Sequence, residues 1–332
     1  MKHALRCILI SVIIPAFNEQ KYLNRTIDNF ISTAKGEIEV IVVLNGYEQE
    51  VDKRAIVIKK PENVGMRKAL NIASKVAIGK YLMFVDAHCD ITQDWDVKMI
   101  EVLRKYPRGI TVAPITSMDK DWKTKRGWYG FCEMRPNMQP VWHGKKTYGI
   151  IEPNMALTGC GLMMAKDFYL SFGGLDGSLP KMGAIGSEFS IHGWLDGDGI
   201  YTRTDVLLGH IFNTGGYDTG EANKAQEILH KKWGNRYKEI LKHFPDDEER
   251  LVSMKRSTKH RTVVVERKDE HITKDSNDKP IKRVVETFQY VYEDNGDGPS
   301  EEEIGKIYGP KASKVEEELY YPTKDGQWTK VA

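Results

Sequence analysis

The sequence lacks the usual marks of a disulfide-bonded, secreted or membrane-spanning protein. Its 332 residues contain four cysteines, which are scattered without a CxxC pair, so neither a disulfide framework nor a structural zinc site is indicated. No apolar run is long enough to cross a bilayer, and the N-terminus runs into a predicted strand without the three-part pattern of a secretory signal. We therefore expect a cytoplasmic protein that does not contact a membrane.

Two further absences narrow the function. The 49 Lys and Arg nearly balance the 47 Asp and Glu, and a net charge of +2 gives no global attraction to nucleic acid. The turn after the first predicted strand is Pro-Ala-Phe-Asn-Glu, without a GxGxxG fingerprint, which excludes a classical dinucleotide-binding fold. The 40% apolar share supports a sizeable core, and the length suits one large domain with an appendage.

Apolar runs alternate with segments of helical periodicity over residues 1–245. Strands are predicted at residues 8–16, 39–44, 56–59, 81–85, 110–114, 162–166 and 207–212. This alternation predicts an α/β fold, a doubly wound sheet with right-handed crossovers. Residues 246–332 instead alternate charge with short β-like runs, which predicts a small β-rich extension or a partly disordered tail. We treat this extension as a candidate acceptor-binding module.

The stretch around which the chain is organised is residues 81–90 (YLMFVDAHCD). Its apolar half predicts a buried strand of a parallel sheet, and ligands bind beyond the carboxyl ends of such strands. Asp86 and His88 leave the strand there, two residues apart, so a carboxylate oxygen and an imidazole nitrogen can share one ion. Mixed oxygen and nitrogen ligation suits Mn²⁺ better than Ca²⁺. The alternative is that Asp86 caps the next helix and His88 is a packed loop residue.

Two other segments leave alternatives open. His210 lies inside an apolar strand, where a histidine is more often a core residue than a ligand. Aromatic residues interleaved with Arg and Lys over residues 117–153 predict either a packing layer or a surface on which a sugar or base stacks. Glycines at 159 and 161 permit a close backbone approach, and the polar, Gly-rich residues 213–220 suit a hinged lid.

Four passages resemble nucleotide-sugar glycosyltransferases of the GT-A fold. They are residues 11–19 (SVIIPAFNE), Arg67 with the helical segment up to Gly79, residues 84–90 (FVDAHCD) and residues 206–212 (VLLGHIF). The chain is most similar to the catalytic domain of the polypeptide N-acetylgalactosaminyltransferases, with the family 2 glycosyltransferases behind them. The resemblance covers residues 8–243, and the Asp-x-His and Gly-His-Ile-Phe pair is its most specific part.

The resemblance implies a GT-A, Rossmann-like mixed sheet and a role for each matched residue. Asp86, His88 and His210 would ligate Mn²⁺ or Mg²⁺, which reverses the interpretation of His210 as a core residue. The UDP-sugar donor and its nucleotide would be bound by Pro15, Phe17, Glu19, Asn45, Arg67, Asp86, Gly159, Gly161 and Tyr217. Glu188 is the candidate catalytic residue facing the sugar. Because the nearest relatives retain anomeric configuration, a retaining hexosyltransferase is expected.

This sequence departs from the family pattern in two places. The second strand ends in Leu44-Asn45-Gly46 where the family usually has paired aspartates. The family's Trp-Gly-Gly-Glu-Asn passage is Met182-Gly-Ala-Ile-Gly-Ser-Glu188 here, and it can be aligned in two registers. Anchoring on Trp194 makes Glu188 a later acid of that passage, whereas anchoring on the small residues before Glu188 makes it the acid that contacts the sugar.

The acceptor is left open by the sequence. The resemblance implies a protein Ser or Thr hydroxyl. A surplus of Lys and Arg over residues 251–290, together with the basic helix at 224–242, suggests instead a track for DNA that carries hydroxymethylated bases. A further alternative is a non-catalytic protein that only binds a nucleotide-sugar.

Overall fold

The computed structural model describes residues 9–123, 129–142, 149–212 and 219–245 in full, and the backbone of residue 143 and of further strands beyond residue 260. The chain divides into two compact units, Met1–Glu248 and Glu249–Ala332. The boundary predicted after residue 245 falls close to this division. Each unit is described by itself below.

The first unit alternates strands and helices, as the apolar runs predict. Its strands are β1 (Ile10–Ala16), β2 (Ile38–Asn45), β3 (Ile56–Lys60), β4 (Tyr81–Phe84), β5 (Cys89–Ile91), β6 (Ile110–Val112), β7 (Ile115–Met118), β8 (Phe131–Met134), β9 (Pro140–His143), β10 (Ile151–Pro153), β11 (Leu162–Ala165), β12 (Ile200–Arg203) and β13 (Leu208–Ile211). Its α-helices are α1 (Leu23–Thr33), α2 (Met66–Val76), α3 (Trp95–Lys105), α4 (Lys166–Ser171), α5 (Ile185–Leu195), α6 (Thr219–Trp233) and α7 (Tyr237–Leu241), and a 3₁₀ turn at Gly234–Arg236 joins the last two.

An eight-stranded mixed sheet forms the centre of this unit, in the order β10-β12-β6-β11-β4-β1-β2-β3. Strands β4, β1, β2 and β3 run parallel, while β11 is antiparallel to both β4 and β6. Because β4 and β1 run the same way, their carboxyl ends meet at one edge of the sheet. A second, three-stranded sheet has the order β5-β13-β7. Its strand β5 follows β4 in the chain after a single turn, so the two sheets are connected at the carboxyl end of β4.

Period-two alternation along the central strands divides the core between the two faces of the sheet. Val12 and Ile14 pack in a cluster with Leu23, Phe30 and the fully buried Trp95, which are contributed by α1 and α3. Ile13, Ile41 and Val43 belong to a second cluster on α2, α4 and α5. Burial on both faces explains why these strands are continuous apolar runs in the sequence. The predicted α/β sheet is confirmed.

Backbone turns with positive φ precede two of the helices. Asn18, which follows β1, has φ of 54°, and helix α1 begins at Leu23. Helix α5 begins at Ile185, three residues before Glu188, because the left-handed Gly183 and Ala184 form the turn that precedes it. Within the described residues, no helix is long and apolar enough to cross a membrane.

The second unit contains an antiparallel sheet in the order β14-β15-β16-β17. The strands are β14 (Arg261–Lys274), β15 (Pro280–Tyr292), β16 (Lys314–Pro322) and β17 (Trp328–Lys330). A β-bulge interrupts the β14–β15 register between Val265 and Arg267. The first two strands extend the β-like runs predicted from the sequence, and the last two were not predicted. A role in acceptor binding stays a prediction.

Candidate metal and nucleotide site

Two separate segments bring Asp86, His88 and His210 together. Strand β4 ends at Phe84, and Asp86 and His88 lie in the short turn between β4 and β5. Strand β13 pairs antiparallel with β5, so that His210 lies opposite Cys89, and the Ile211 N–H donates to the carbonyl of His88. The small sheet therefore carries His210 to a turn that is more than a hundred residues away in the chain.

The geometry of this cluster fits a single cation. Asp86, His88 and His210 each offer one ligand atom, and these atoms all lie within 4.8 Å of one another. The Nε2 atom of His210 lies 3.1 Å from Asp86 Oδ2, and the His88 and His210 ring centroids are 4.8 Å apart. Asp86 is 24% exposed and the two histidines only 11% and 12%, so the cluster opens to solvent through the carboxylate.

Glu19 orients one of the three candidate ligands. Its Oε2 lies 3.2 Å from His88 Nδ1, so a proton on Nδ1 is donated to Glu19 and the Nε2 lone pair is left for a cation. The sequence placed Glu19 in the nucleotide pocket, whereas the structure brings its carboxylate to the candidate metal ligand. Contacts of this kind fix both the tautomer and the orientation of a ligating imidazole.

Within the cluster, the pKa values of Asp86 and His88 are both shifted toward the charged form of the side chain. Burial raises the pKa of Asp86, but the contact with His210 and the charges of both histidines outweigh it and hold the pKa below 3.8. Burial lowers the pKa of His88, but the hydrogen bond to Glu19 and the charges of Asp86 and Glu19 raise it above 6.5 overall. Asp86 is therefore an ionised carboxylate at neutral pH, as a cation ligand must be.

Two buried thiols border the same cluster. The Sγ atoms of Cys89 and Cys160 lie 3.7 Å apart, and the Asp86 N–H donates to Cys160 Sγ at 3.3 Å. The hydrogen bond with Cys89 and burial together raise the pKa of the Cys160 thiol. Burial also raises the pKa of Cys89. Both side chains are thus thiols at neutral pH when no cation is bound.

The carboxyl ends of β1 and β2 present two exposed aromatic rings. Phe17 follows β1 and is 51% exposed, and Tyr47 follows β2 and is 39% exposed. Their ring centroids lie 6.3 Å apart in an edge-on arrangement. Pro15 lies within β1, opposite Val43 of β2. The sequence pointed to Phe17 but missed Tyr47, which its position directly after Asn45-Gly46 at a strand end could have indicated.

Asn45 stabilises a loop through its amide. Its Oδ1 accepts from the Val64 N–H at 2.8 Å, and its Nδ2 donates to Asn63 Oδ1 at 3.1 Å. Gly46 has φ of 87°, and a Cβ atom there would lie 2.3 Å from the Asn63 nitrogen, so only glycine fits. Asn45 therefore shapes the wall of the predicted nucleoside pocket, and its contact with a base stays a prediction.

Arg67 and Glu188 form a buried ion pair. Arg67 Nε donates to Glu188 Oε2 at 2.9 Å, with side-chain exposures of 2% and 3%. The two terminal nitrogens of Arg67 donate to the carbonyls of Pro180 and Gly183, and Glu188 Oε1 accepts from the Asp176 N–H. These contacts give both residues a structural role. A catalytic role for Glu188 and nucleotide binding by Arg67 stay predictions that this geometry does not favour.

Glu188 also lines a cavity of about 650 Å³. This cavity is lined by Phe172, His192, Asp196, Lys232 and Trp233, among others. None of Asp86, His88 and His210 belongs to its wall. Glu188 and the three candidate metal ligands therefore do not share this cavity.

The glycines at 159 and 161 permit close packing against protein side chains. A Cβ atom at Gly159 would lie 3.0 Å from the Ile185 side chain. Gly161 has φ of 75°, and a Cβ atom there would meet Leu208 at 2.9 Å. Their backbone leads into β11 beside the end of β4, because the Gly161 N–H donates to the Phe84 carbonyl. Contact with the donor sugar stays a prediction.

Two sequence predictions fall wholly or partly outside the described residues. Tyr217, predicted to close over the diphosphate, lies in the undescribed segment 213–218. Of the aromatic stretch, Trp122 packs on Tyr22 and beneath the guanidinium of Arg25. Tyr129 and Trp142 form a pair with centroids 5.2 Å apart that stays more than a third exposed. The stretch thus contains both packed and accessible rings.

Residues 11–166 match the sequence model of the family described as glycosyl transferase family 2. The chain is similar to polypeptide N-acetylgalactosaminyltransferase 8 of Drosophila melanogaster, with 24% identity over 262 residues that cover 72% of this chain and 44% of the relative. It is also similar to polypeptide N-acetylgalactosaminyltransferase 3 of Taeniopygia guttata, with 24% identity over 60% of this chain and 35% of that one.

A solved structure shares the fold. The crystal structure of GalNAc-T7 with UDP, GalNAc and Mn²⁺ superposes with a TM-score of 0.57 and 18% identity, covering 76% of this chain and 52% of that chain. The first unit therefore has the GT-A fold. The chain spans less than half the length of the curated relatives named above.

Within this GT-A domain, the Met182–Glu188 passage spans the start of α5. The small residues Gly183 and Ala184 form the left-handed turn, and Ile185 follows it as the first residue of α5. Gly186 and Ser187 are already helical, and Glu188 is one turn further on. Both registers of this passage stay predictions.

Proposed function

We propose that the GT-A domain transfers a sugar from a UDP-sugar to a hydroxyl acceptor in a metal-dependent reaction. The convergence of Asp86, His88 and His210 carries this proposal. One carboxylate and two imidazoles suit Mn²⁺, and Mg²⁺ is the second candidate. The buried ring nitrogen His210 Nδ1 has no hydrogen-bond partner among the described residues, whereas Nε2 faces the Asp86 carboxylate at 3.1 Å.

The bound cation would act as a Lewis acid and neutralise the negative charge of the departing diphosphate. Glu19 holds the proton of His88 on Nδ1 and so fixes the ligand tautomer. Phe17 and Tyr47 offer exposed rings on which a uracil base can stack. The ionised Asp86 requires no proton release before the cation binds.

The donor and acceptor are proposed by similarity. The GalNAc-T7 structure contains UDP, GalNAc and Mn²⁺, which supports a UDP-sugar as donor. The names of the curated relatives support a polypeptide acceptor, and hence a Ser or Thr hydroxyl. We propose retention of anomeric configuration because the chain resembles these enzymes.

The DNA-modification alternative receives no support from the described residues. On the basic helix segment, Lys232 pairs with Asp176 at 2.9 Å and Arg236 pairs with Glu239 at 2.9 Å, so two of its charges are neutralised locally. Hydroxymethylated DNA is therefore one arm of the acceptor experiment rather than the proposed substrate.

The direct test measures UDP release from UDP-GalNAc, UDP-GlcNAc and UDP-glucose with Mn²⁺ and with a chelator. We expect release with at least one donor, and loss of release on chelation. His210→Ala should abolish it, whereas His230→Ala, a change of an exposed histidine on α6, should not. Full activity of His210→Ala would overturn the metal triad. Binding without release in the wild-type protein would favour the non-catalytic alternative.

The acceptor is then identified with the active donor by mass spectrometry. Ser/Thr peptides and hydroxymethylated duplex DNA are offered in parallel. A mass increase of one hexose or N-acetylhexosamine on the peptides supports the proposal, and the same increase on DNA alone replaces the proposed acceptor. The anomeric configuration of the product, measured by NMR, decides between retention and inversion.

A further inference from the structure

The thiols of Cys89 and Cys160 lie beside His210 in a geometry that matches a metal site. Each of these three residues offers a ligand atom, and the atoms lie within 4.8 Å of one another. Cys89 lies opposite His210 across the β5–β13 ladder, and Cys160 accepts the Asp86 N–H. Cys89 is fully buried and Cys160 is 8% exposed. Two thiols and an imidazole form a softer ligand set than Asp86 with two imidazoles.

The distance between the sulfur atoms distinguishes this arrangement from a disulfide. A tetrahedral zinc ion with Zn–S bonds of about 2.3 Å separates two thiolates by about 3.8 Å. The observed separation is 3.7 Å. A disulfide needs about 2.0 Å, so its formation would require the two strand ends to move together. The two thiols are therefore spaced for a shared cation without rearrangement.

We propose that Cys89, Cys160 and His210 form a site for a thiophilic cation such as Zn²⁺ or Cd²⁺. When this site is occupied, Asp86, His88 and His210 no longer bind their own cation. Each cysteine would lose its proton to solvent as its sulfur–metal bond forms. A neutral imidazole has one lone pair, so His210 ligates one cation at a time. Thiophilic cations are then inhibitors that act beside the transfer site rather than only by replacing Mn²⁺ within it.

The Asp86 N–H strengthens this assignment. A backbone N–H that donates to a sulfur atom stabilises the thiolate once the metal has displaced the proton. The same peptide unit carries the Asp86 carboxylate, a ligand of the first site. Occupation of the thiol site therefore acts on both His210 and Asp86.

Cadmium titration tests the site directly, because a cadmium–thiolate bond gives an ultraviolet charge-transfer band that oxygen and nitrogen ligands do not give. All proteins carry Cys7→Ser, since Cys7 lies outside the described residues. We expect one equivalent of Cd²⁺ to produce the band in this background and in Cys132→Ser, a change of a third buried cysteine. Cys160→Ser and Cys89→Ala should both lose the band. Its persistence in both variants would overturn the proposal.

Competition tests the exclusion. Electron paramagnetic resonance measures free Mn²⁺ as Cd²⁺ is added to the Mn²⁺-loaded protein. Release of Mn²⁺ should accompany the thiolate band, and Cys160→Ser, which keeps an acceptor for the Asp86 N–H, should still bind Mn²⁺ but resist its release. Equal release from Cys160→Ser would show that Cd²⁺ simply enters the first site and would contradict the proposal. The band requires no transfer activity, so failure of the proposed function is a separate outcome.

Discussion

The GT-A domain contains two buried polar clusters that differ in how fully their atoms are paired. In the Arg67–Glu188 pair, all three guanidinium nitrogens of Arg67 donate a hydrogen bond, and both carboxylate oxygens of Glu188 accept one. In the Asp86–His88–His210 cluster, Asp86 stays partly exposed and His210 Nδ1 lacks a partner among the described residues. Full pairing indicates a structural role, whereas partial exposure together with converging ligand atoms fits a site that a ligand completes.

The largest effect is expected from a variant that breaks the Arg67–Glu188 pair. Arg67→Met leaves the Glu188 carboxylate buried without its cation, which should lower the free energy of unfolding by about 3–5 kcal/mol. Urea denaturation measures this change. The double variant Arg67→Met/Glu188→Leu should recover much of the loss, because no unpaired charge then remains buried. An unchanged free energy of unfolding in Arg67→Met would contradict the structural role.

The second largest effect is expected on Mn²⁺ binding by the Asp86–His88–His210 cluster. Glu19→Gln keeps the shape of the side chain but weakens its hold on His88, and should lower Mn²⁺ affinity by about 10–100-fold. Calorimetric titration measures the affinity, and urea denaturation should show little change. The matched control is Glu39→Gln, which alters a carboxylate that instead accepts from the Ile78 N–H. Equal losses of affinity in both variants would remove the orienting role of Glu19.

The pH dependence of Mn²⁺ binding follows from His88. A cation needs the neutral imidazole, and the pKa of His88 is raised above 6.5. Protons therefore compete for this ligand, and Mn²⁺ affinity should fall as pH drops through the raised pKa, by at most about tenfold per pH unit. In Glu19→Gln the onset of this fall should shift to lower pH. The same onset in both proteins would contradict the assigned cause.

The smallest effect concerns the nucleoside end. Phe17→Ala removes one of two exposed rings and should weaken UDP binding by about 1 kcal/mol, with Tyr47→Ala giving a similar loss. Fluorescence or calorimetric titration with UDP measures it. Phe212→Ala, which changes a ring that contacts His210 at a centroid distance of 4.3 Å, separates base stacking from effects on the cation. UDP affinity unchanged in both Phe17→Ala and Tyr47→Ala would place the base elsewhere.

Much of the fold follows from local sequence patterns. Strands β1, β2 and β4 are uninterrupted apolar runs because they are buried on both faces, and that pattern is visible without a structure. Helix α5 begins directly after the left-handed turn at Gly183-Ala184, a turn that no periodicity in the sequence marks. Positive φ at the non-glycine residues Asn18 and Ala184 is set by tertiary context, which a short window of sequence does not contain.

The candidate site could likewise be predicted only in part from the sequence. Asp86 and His88 are two residues apart and could be paired from the sequence, whereas His210 was assigned only through the family resemblance. The roles of Arg67, Glu19 and Glu188 depend on partners between 69 and 121 residues away, and periodicity gives no information on such contacts. Tyr47 and Cys160 likewise acquire a role only when neighbouring strand ends are brought together.

The central claim is that Asp86, His88 and His210 hold one divalent cation at the carboxyl end of β4. Anomalous diffraction at the manganese edge, from crystals of the full chain grown with Mn²⁺ and UDP, tests it most directly. We predict a single peak bonded to a carboxylate oxygen of Asp86 and to one nitrogen from each of His88 and His210. An anomalous peak that lies elsewhere, or none with these three side chains well ordered, would contradict the claim.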